Sequence, residues 1–247
     1  MISMERLKVR DNEGLGGQIR KLPLWKRMLD LALIVVISPG LLVLGAGVAL
    51  IIVGGSRGPV LFRQRRVGYK GRMFTCYKFR TMQVDADSES HRGHTRLLIR
   101  SDVPMTKLDA RSDPRLIPFG AALRATGLDE LPQIINIIRG EMSIVGPRPC
   151  IPYEYELYEP WQRRRFDAVP GVTGLWQVSG KNRTTFDQMI RLDIEYAERS
   201  SLWLDLKILL KTLPALCIQC LDIHSQKRKH AQAVGTGMGK SIKAYNS

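Results

Sequence analysis

The feature that most constrains this chain is an apolar segment at residues 29–53, which reads LDLALIVVISPGLLVLGAGVALIIV. Asp30 is the only charged residue in it. A helix needs about 20 apolar residues to cross a bilayer, so the segment is long enough to enter a membrane. It begins too far into the chain, and it is too long, to be a simple signal peptide. Because it has no polar face, it has to lie in lipid or be buried on all sides.

Two details argue against a straight crossing of the membrane. Ser38-Pro39-Gly40 lies near the middle, and a proline removes a helical hydrogen bond, so the sequence predicts a membrane break at Ser38 and Pro39. Basic residues flank both ends, and they prefer the cytoplasmic side, which both ends reach only if the segment turns back. These flanking residues are Arg20, Lys21, Lys26, Arg27, Arg57, Arg63, Arg65, Arg66, Lys70 and Arg72. We therefore favour a re-entrant helix–break–helix, with a kinked single crossing and a buried core hairpin as alternatives.

The charge of the whole chain points to anionic partners. The sequence has 38 Lys and Arg against 23 Asp and Glu, a formal net charge of +15. Such a surplus favours nucleic acid, an anionic membrane surface or phosphorylated small molecules, and general solubility is the plain alternative. Aromatic residues make up 7% of the chain and are not interleaved with the basic clusters, as a platform for stacked bases requires. The sequence therefore predicts membrane lipid or phosphorylated ligands, and no nucleic acid.

After the apolar segment, the patterns predict a small sheet followed by short helices. Two strands are expected around Val60–Gln64 and Arg72–Lys78. Two helical patterns cover Ala121–Arg124 and Leu128–Arg139. The predicted fold class is thus α-rich α/β, in which a re-entrant membrane segment joins a cytoplasmic domain of short helices, a small β-sheet and amphipathic interfacial helices.

A second stretch, residues 200–221, combines leucines at helical spacing with interspersed charges and Trp203. Such a helix is either an ordinary amphipathic core helix or one that lies in the headgroup plane. The leucines are Leu202, Leu206, Leu209, Leu210 and Leu213.

These patterns divide the chain into four parts. Residues 1–24 form a polar N-terminal segment, 25–56 the re-entrant membrane hairpin, and 57–222 a cytoplasmic domain. Residues 223–247 form a basic tail, which we expect to be disordered and to contact anionic lipid.

The predicted helix at Leu128–Arg139 begins with two adjacent acids, Asp129 and Glu130. The N-terminus of a helix favours ionised carboxylates, and its free N–H groups also suit phosphate. Two ionised carboxylates beside a phosphate need a counter-charge, and a divalent cation with oxygen ligands is the natural one. On spacing alone, the two acids are better explained as favourable first-turn residues.

The stretch Gly146-Pro147-Arg148-Pro149 predicts a stiff loop that carries one cation. Each proline restricts its own backbone and that of the preceding residue. A guanidinium on such a support suits a phosphate group. Lys78 and Arg80 are two residues apart on a predicted strand and would share a face, which is a weaker indication of the same chemistry.

Taken together, these blocks resemble the bacterial sugar transferases, the monotopic phosphoglycosyl transferases. The resemblance runs from about Lys26 to Leu213, and the blocks occur in the order found in that family. After the Ser-Pro segment the matching blocks are KFRTM (78–82), DPR (113–115), LDELPQ (128–133), GEMSIVGPRP (140–149), VPGVTGLWQVSGKN (169–182) and LDIEYAERSSLWLDLKIL (192–209).

The resemblance implies an enzyme that transfers hexose-1-phosphate from a UDP-hexose to undecaprenyl (polyprenyl) phosphate and releases UMP, the first membrane step of exopolysaccharide or O-antigen synthesis. It implies that Asp129 attacks phosphorus to form a covalent phosphosugar, and that Glu130, with Asp129, holds Mg²⁺. Arg148 would bind phosphate. Further phosphate-binding candidates in matching blocks are Lys78, Arg80, Arg115 and Arg124.

The resemblance also implies a location in the cytoplasmic (inner) membrane, with the catalytic domain facing the cytoplasm. The chain resembles the small form of the family that has only the catalytic domain. It departs from the family pattern at Gly127, where Ser is common, which weakens a side-chain cap. A homodimer is left open. A conventional glycosyltransferase that releases UDP, and a non-enzymatic scaffold that binds anionic lipid, remain alternatives.

Overall fold

The computed structural model describes residues 22–84, 89–101, 103–105 and 115–215. The predicted basic tail at 223–247 and nearly all of the predicted N-terminal segment lie outside these residues. In chain order the helices and strands are α1 (Leu24–Gly55), β1 (Leu61–Val67), β2 (Met73–Phe79), α2 (Glu89–Arg100), α3 (Gly120–Thr126), α4 (Ile134–Ile138), β3 (Ser143–Val145), α5 (Pro152–Leu157), β4 (Gly171–Thr173), α6 (Leu175–Val178), α7 (Phe186–Arg199) and α8 (202–215), with 3₁₀ turns at Tyr69–Gly71, Leu128–Gln133, Gln162–Asp167 and Lys181–Arg183.

The apolar segment forms one helix, α1, which is long and apolar enough to cross a membrane, with a mean hydropathy of 2.5. Helical backbone continues through Ser38 and Pro39, and the membrane break predicted there stays a prediction. Pro39 has no N–H to donate to the carbonyl of Val35, and the Ser38 hydroxyl donates to that carbonyl instead, at 2.9 Å. A free carbonyl is costly in lipid, so this bond compensates locally for the proline.

Both ends of α1 contact the same folded domain. Near the N-terminal end, Arg27 donates to the carbonyls of Ile137 and Ile138. Near the C-terminal end, Val48 and Ile52 are buried in an apolar cluster with Phe79, Ile117 and Leu123. Between these ends, apolar side chains of α1 are exposed, among them Val35, Val36, Leu42 and Val43. The exposed middle section therefore needs lipid or another apolar covering.

The base of α1 is held by a buried network of charged and polar groups. Lys26 forms an ion pair with Asp205 of α8 and donates to the Tyr196 hydroxyl at 2.9 Å. Tyr196 of α7 donates to Asp205 at 2.7 Å. The Asp30 carboxylate accepts from the Ser143 hydroxyl (3.1 Å) and the Ile144 N–H (3.0 Å), so α1 is tied to β3 as well.

Two small sheets complete the α-rich α/β fold, as predicted. β1 and β2 form an antiparallel hairpin that pairs Leu61 with Phe79 and Val67 with Met73. β3 and β4 form a parallel pair, with Ser143 opposite Gly171. The predicted strands and helices are confirmed with small shifts at their ends. The hairpin and the parallel pair bring the segments that carry Lys78, the acid pair and Arg148 to one place.

Helix α8 combines the two alternatives that its sequence left open, a core helix and a helix at the membrane surface. Asp205 and Ile208 are buried, and Ile208 packs with Val145 and Tyr196. On the other side Trp203 and Leu210 are more than 70% exposed. The helix therefore packs on the core along one face and presents an apolar face outward, which is typical of a helix that lies at an interface.

Candidate active site

The acid pair lies in a 3₁₀ turn, Leu128–Gln133, that runs directly into α4. Gly127 precedes it at φ 74°, a conformation that favours glycine, and no side chain caps the turn. Pro132 has no N–H for the carbonyl four residues back, so regular α-helical bonding begins only after it. The predicted helix is confirmed in extent, and its first half is wound more tightly than expected.

Asn136 anchors the acid-bearing segment to the hairpin. Its amide is fully buried; the side-chain oxygen accepts from the Tyr77 N–H at 3.1 Å, and the nitrogen donates to the Thr75 carbonyl at 2.7 Å. The same nitrogen donates to Glu141 at 2.6 Å. Asn136 thus bonds the free edge of β2 as a neighbouring strand would, and it holds the acid pair against the strand that carries Lys78.

The loop that carries Arg148 is held by a bond to every carbonyl from residue 147 to residue 150. The donors to these carbonyls are the Gly171 N–H at 2.9 Å, Arg165 at 2.8 Å, Arg66 at 3.1 Å and the Val67 N–H at 2.9 Å. At Gly146 an added Cβ would lie 2.3 Å from the Val169 carbonyl oxygen, so only glycine allows this close approach. The predicted stiffness of the loop is therefore borne out by its bonding.

Behind this loop lies a buried ion pair. Arg165 is 2% exposed and lies 2.5 Å from Asp193 of α7. Its guanidinium also donates to the Tyr158 hydroxyl at 3.0 Å. Burial opposes the charge on Arg165, but Asp193 outweighs it and raises the pKa of the guanidinium above its ordinary value. The cation stays charged and supports the backbone of Arg148 from behind.

These segments line a small, partly open cavity of about 10 Å³, which is room for about one water molecule. Across it, the Lys78 ammonium lies 2.6 Å from Oε1 of Glu130, and the Arg148 guanidinium lies 3.5 Å from the same oxygen. The structure thus brings together Lys78, Glu130 and Arg148, with Asp129 next in the chain to Glu130. The lining residues are Arg66, Cys76, Lys78, Glu130, Gln133, Arg148, Pro149, Gly171 and Val172.

The two cations keep Glu130 ionised. Burial would raise its pKa, but the charges of Lys78 and Arg148 outweigh burial and hold the pKa of Glu130 well below its usual range. Burial also acts against the charge on Arg148, and Glu130 reverses this, so the pKa of Arg148 is raised. The site is therefore a preorganised set of charges in a partly dry cavity, where they act on a bound anion more strongly than in water.

Three of the predicted phosphate-binding residues do not line the cavity. Arg80 follows the end of β2, and its three guanidinium nitrogens donate to the carbonyls of Pro59 (2.6 Å), Arg57 (2.9 Å) and Ser56 (3.1 Å). Those bonds close the exit of α1, and the proposal that Arg80 binds phosphate stays a prediction. Arg115 lies before α3, and Arg124 lies in the last turn of α3.

Among the lining residues that were not predicted from the sequence, two have strongly polar side chains, Arg66 and Gln133. Arg66 is one of several consecutive basic residues that follow the apolar segment, and nothing in the pattern distinguishes it from Arg65. In β1, however, Arg65 is exposed and Arg66 is buried against the cavity. Gln133 ends the 3₁₀ turn and is also buried. Lys181, in a matching block without an assigned role, lowers the pKa of Glu130 through its charge.

The donor set is compatible with a divalent cation. Within the described ranges, no group of three or more acidic, His or Cys side chains forms a ready-made metal cluster. Mg²⁺ is typically held by one or two carboxylates and completed by substrate phosphates and water, which is what Asp129 and Glu130 provide. Glu130 already has Lys78 and Arg148 as counter-charges, so a cation there would share this carboxylate with them.

Charged side chains that line a cavity, in a protein that also has a membrane-type helix, are an arrangement suited to small anionic ligands near a membrane. The family model described as bacterial sugar transferase matches residues 21–219. The chain therefore belongs to the bacterial sugar transferase family.

Individual relatives agree with this assignment. The chain is 42% identical over 197 residues to galactosyl transferase CpsE of Streptococcus agalactiae, which covers 78% of this chain and 42% of that protein. It is 41% identical to exopolysaccharide production protein ExoY of Sinorhizobium fredii, over 65% of this chain and 71% of that protein. It is 40% identical to UDP-glucose:undecaprenyl-phosphate glucose-1-phosphate transferase of Caulobacter vibrioides, over 81% of this chain and 73% of that protein. Thus the chain spans about two fifths of CpsE and nearly three quarters of the other two.

Proposed function

We propose that this protein transfers hexose-1-phosphate from a UDP-hexose to undecaprenyl phosphate and releases UMP, and so initiates synthesis of an exopolysaccharide or O-antigen-type glycan. The observation that carries the proposal is the acid pair Asp129 and Glu130, set beside Lys78 and Arg148 in a domain that also carries a membrane-type helix. The printed name of the Caulobacter relative describes the same transfer for glucose.

In the proposed first step, a carboxylate oxygen of Asp129 attacks the phosphorus that carries the hexose. The bond from this phosphorus to the bridging oxygen breaks, and UMP leaves with that oxygen. Lys78 and Arg148 neutralise the phosphate oxygens, because an anionic nucleophile approaches an anionic phosphate only when charge is compensated. Glu130 positions both cations through its ion pairs.

In the proposed second step, a phosphate oxygen of undecaprenyl phosphate attacks the same phosphorus. The bond to Asp129 breaks, its carboxylate is regenerated, and the hexose is left on a diphosphate linked to the lipid. The second step reuses the same positive charges, so one cavity serves both half-reactions. Mg²⁺ held by Asp129 and Glu130 would supply further Lewis-acid neutralisation of the phosphates.

The membrane arrangement that we propose is re-entrant, with the catalytic domain on the cytoplasmic face of the inner membrane. A helix of this length that crossed straight would place its ends on opposite sides, whereas both ends of α1 contact one domain. Exposed apolar side chains outside α1 would lie at the same lipid surface: Phe119, Ile138, Trp203, Leu210 and Leu213.

Nucleotide release tests the reaction. The full chain in lipid discs is given Mg²⁺, undecaprenyl phosphate and a panel of UDP-sugars, and UMP is separated from UDP. We expect lipid-dependent UMP, and the sugar that yields it identifies the substrate. Release of UDP would instead support a conventional glycosyltransferase. Release of neither nucleotide by the folded protein would favour a lipid-binding scaffold.

The nucleophile is tested by Asp129→Asn, which keeps the shape of the side chain and removes its charge. We expect loss of turnover and of labelling of the protein by radioactive sugar phosphate. Asp167→Asn is the matched control, because Asp167 is half-exposed and pairs with Lys70 away from the cavity. Normal activity in Asp129→Asn would show that the nucleophile is a different group.

A further inference from the structure

Arg66, in the cavity wall, is a buried cation without an anionic partner. It is 8% exposed, and it donates from Nη1 to the Pro149 carbonyl (3.1 Å) and from Nη2 to Oε1 of Gln64 (2.6 Å). Both acceptors are neutral. Its Nε is buried with no hydrogen-bond partner. In the described part of the chain, no carboxylate forms an ion pair with Arg66.

A buried charge without a counter-ion is costly, and the surroundings of Arg66 increase the cost. Burial lowers the pKa of Arg66, and the neighbouring charge of Arg148 lowers it further. Arg165 is a contrast within the same protein, since it is also buried but has Asp193 at 2.5 Å. The free protein thus keeps at Arg66 a charge and an N–H that its own groups do not satisfy.

The charges around the cavity indicate which anion would satisfy them. The lining contains three cations, Arg66, Lys78 and Arg148, and one anion, Glu130, so it carries a net charge of two positive. From outside the lining, Asp129 acts on Arg148, Lys181 acts on Glu130, and the carboxylate of Glu154 acts on both Arg66 and Arg148. These groups reduce the positive surplus without reversing it, and a diphosphate, which is negatively charged at neutral pH, is attracted to it.

The size of the cavity agrees with a small, highly charged group. Its volume of about 10 Å³ is room for about one water molecule, so a larger ligand would enter it with a single polar atom. A phosphoryl oxygen of a nucleotide sugar would occupy this space, and the sugar and base would lie outside it. Arg66 and Arg148 line the same cavity, so two adjacent phosphoryl groups can each meet a guanidinium.

We propose that Arg66 is a substrate-binding residue whose Nε donates to the diphosphate of the nucleotide sugar, while Arg148 and Lys78 bind the phosphoryl group next to the acid pair. This inference rests on the proposed function for the identity of the substrate. The preference for an anion follows from the cavity charges alone.

The test uses inorganic pyrophosphate as the probe and the full chain in discs of zwitterionic lipid. Binding is measured by calorimetry for the wild type, Arg66→Gln and Arg65→Gln. Arg65 is the matched control, because it is the neighbouring arginine on β1 and its side chain is exposed. We expect Arg66→Gln to bind pyrophosphate about 10- to 100-fold more weakly, and Arg65→Gln to change binding less than about threefold.

A purely structural role for Arg66 would give a different result. It would lower the thermal midpoint of the ligand-free protein and leave the pyrophosphate affinity within threefold of wild type, which would overturn the proposal. If Arg66→Gln does not fold, Arg66→Lys replaces it, because lysine keeps the charge and loses the Nε donor. We expect Arg66→Lys to bind pyrophosphate more weakly than Arg65→Gln does. If Arg66→Lys binds pyrophosphate as tightly as the wild type, the proposal is equally overturned.

Kinetics identify which substrate supplies the phosphate. We expect Arg66→Gln to raise the KM for the UDP-sugar and to leave the KM for undecaprenyl phosphate within about threefold. An increase only in the KM for the lipid would assign Arg66 to the lipid phosphate and reject the diphosphate. If the wild type releases no UMP from any UDP-sugar but binds pyrophosphate through Arg66, the anion site stands and the proposed function fails. Unchanged UMP release and KM in Arg66→Gln would reject the inference and keep the function.

Discussion

Two groups of charged side chains, one at the base of α1 and one around the cavity, differ in their balance of charge. At the base of α1, Lys26 pairs with Asp205, and Tyr196 bonds both. This group also reaches β3, because the Tyr196 hydroxyl donates to the Val145 carbonyl at 3.1 Å. Only three residues later, Arg148 enters the cavity, where cations outnumber the single lining carboxylate.

The difference separates architecture from ligand binding. A buried ion pair whose partners are both protein groups holds elements together, and it has no need of a ligand. A buried surplus of one charge remains unfavourable until an anion arrives, and it is therefore a mark of a binding site. The two groups share β3, so the helix base that anchors the protein in the membrane also fixes the strand that leads to Arg148.

The largest expected effect is a loss of stability in the group at the base of α1, where the charges of Lys26 and Asp205 balance each other. Asp205→Ala leaves Lys26 buried without its partner, and we expect it to lower the free energy of unfolding by about 3–5 kcal/mol. Chemical denaturation of the protein in detergent, followed by tryptophan fluorescence, measures this change. The double variant Lys26→Met/Asp205→Leu removes both charges and should recover most of the stability. A double variant as unstable as Asp205→Ala would show that packing, and not charge balance, is what matters there.

The link between the acid pair and the hairpin comes next. Asn136→Ala leaves the Tyr77 N–H and the Thr75 carbonyl without their buried partner, at a cost of about 2–3 kcal/mol. Since the same bonds hold Glu130 near Lys78, we expect kcat to fall about tenfold or more in the fraction that remains folded. Thermal unfolding and UMP release measured on one preparation separate the two effects. Full activity at reduced stability would contradict a positioning role.

The smallest expected effect is a change in how activity depends on pH, and it concerns the group around the cavity, where cations outnumber the carboxylate. Burial raises the pKa of Glu130, and Lys78 is the strongest of the charges that hold it down. Lys78→Met therefore raises the pKa of Glu130, and the acid limb of the pH profile of kcat/KM should move to higher pH. We expect the loss of activity to be about tenfold larger at pH 5 than at pH 8.

The control for this profile is Lys70→Met, because Lys70 forms an exposed ion pair with Asp167. Removing it should leave the shape of the profile unchanged. A profile for Lys78→Met that is lower by the same factor at every pH would mean that Lys78 acts only by binding substrate, and not by keeping Glu130 ionised.

The sequence alone determined those features that depend on neighbours in the chain. The apolar run at 29–53 requires lipid or full burial, because hydropathy adds up along a continuous segment. Asp129 and Glu130 fall in a first helical turn, because the apolar spacing that follows sets the start of that helix. The stiffness of the loop around Arg148 likewise follows from its two prolines.

Only the tertiary structure decided which charges meet. Lys78 reaches Glu130 across 52 residues of sequence, while Arg80, expected on the same strand face, turns away where β2 ends and bonds the exit of α1. Of the neighbours Arg65 and Arg66, one is solvent-exposed and one lines the cavity. Asp205, which reads as a polar position on an amphipathic helix, is buried against Lys26. The physical reason is that periodicity reports on one element at a time, whereas the balance of buried charge is set by elements that pack together from distant parts of the chain.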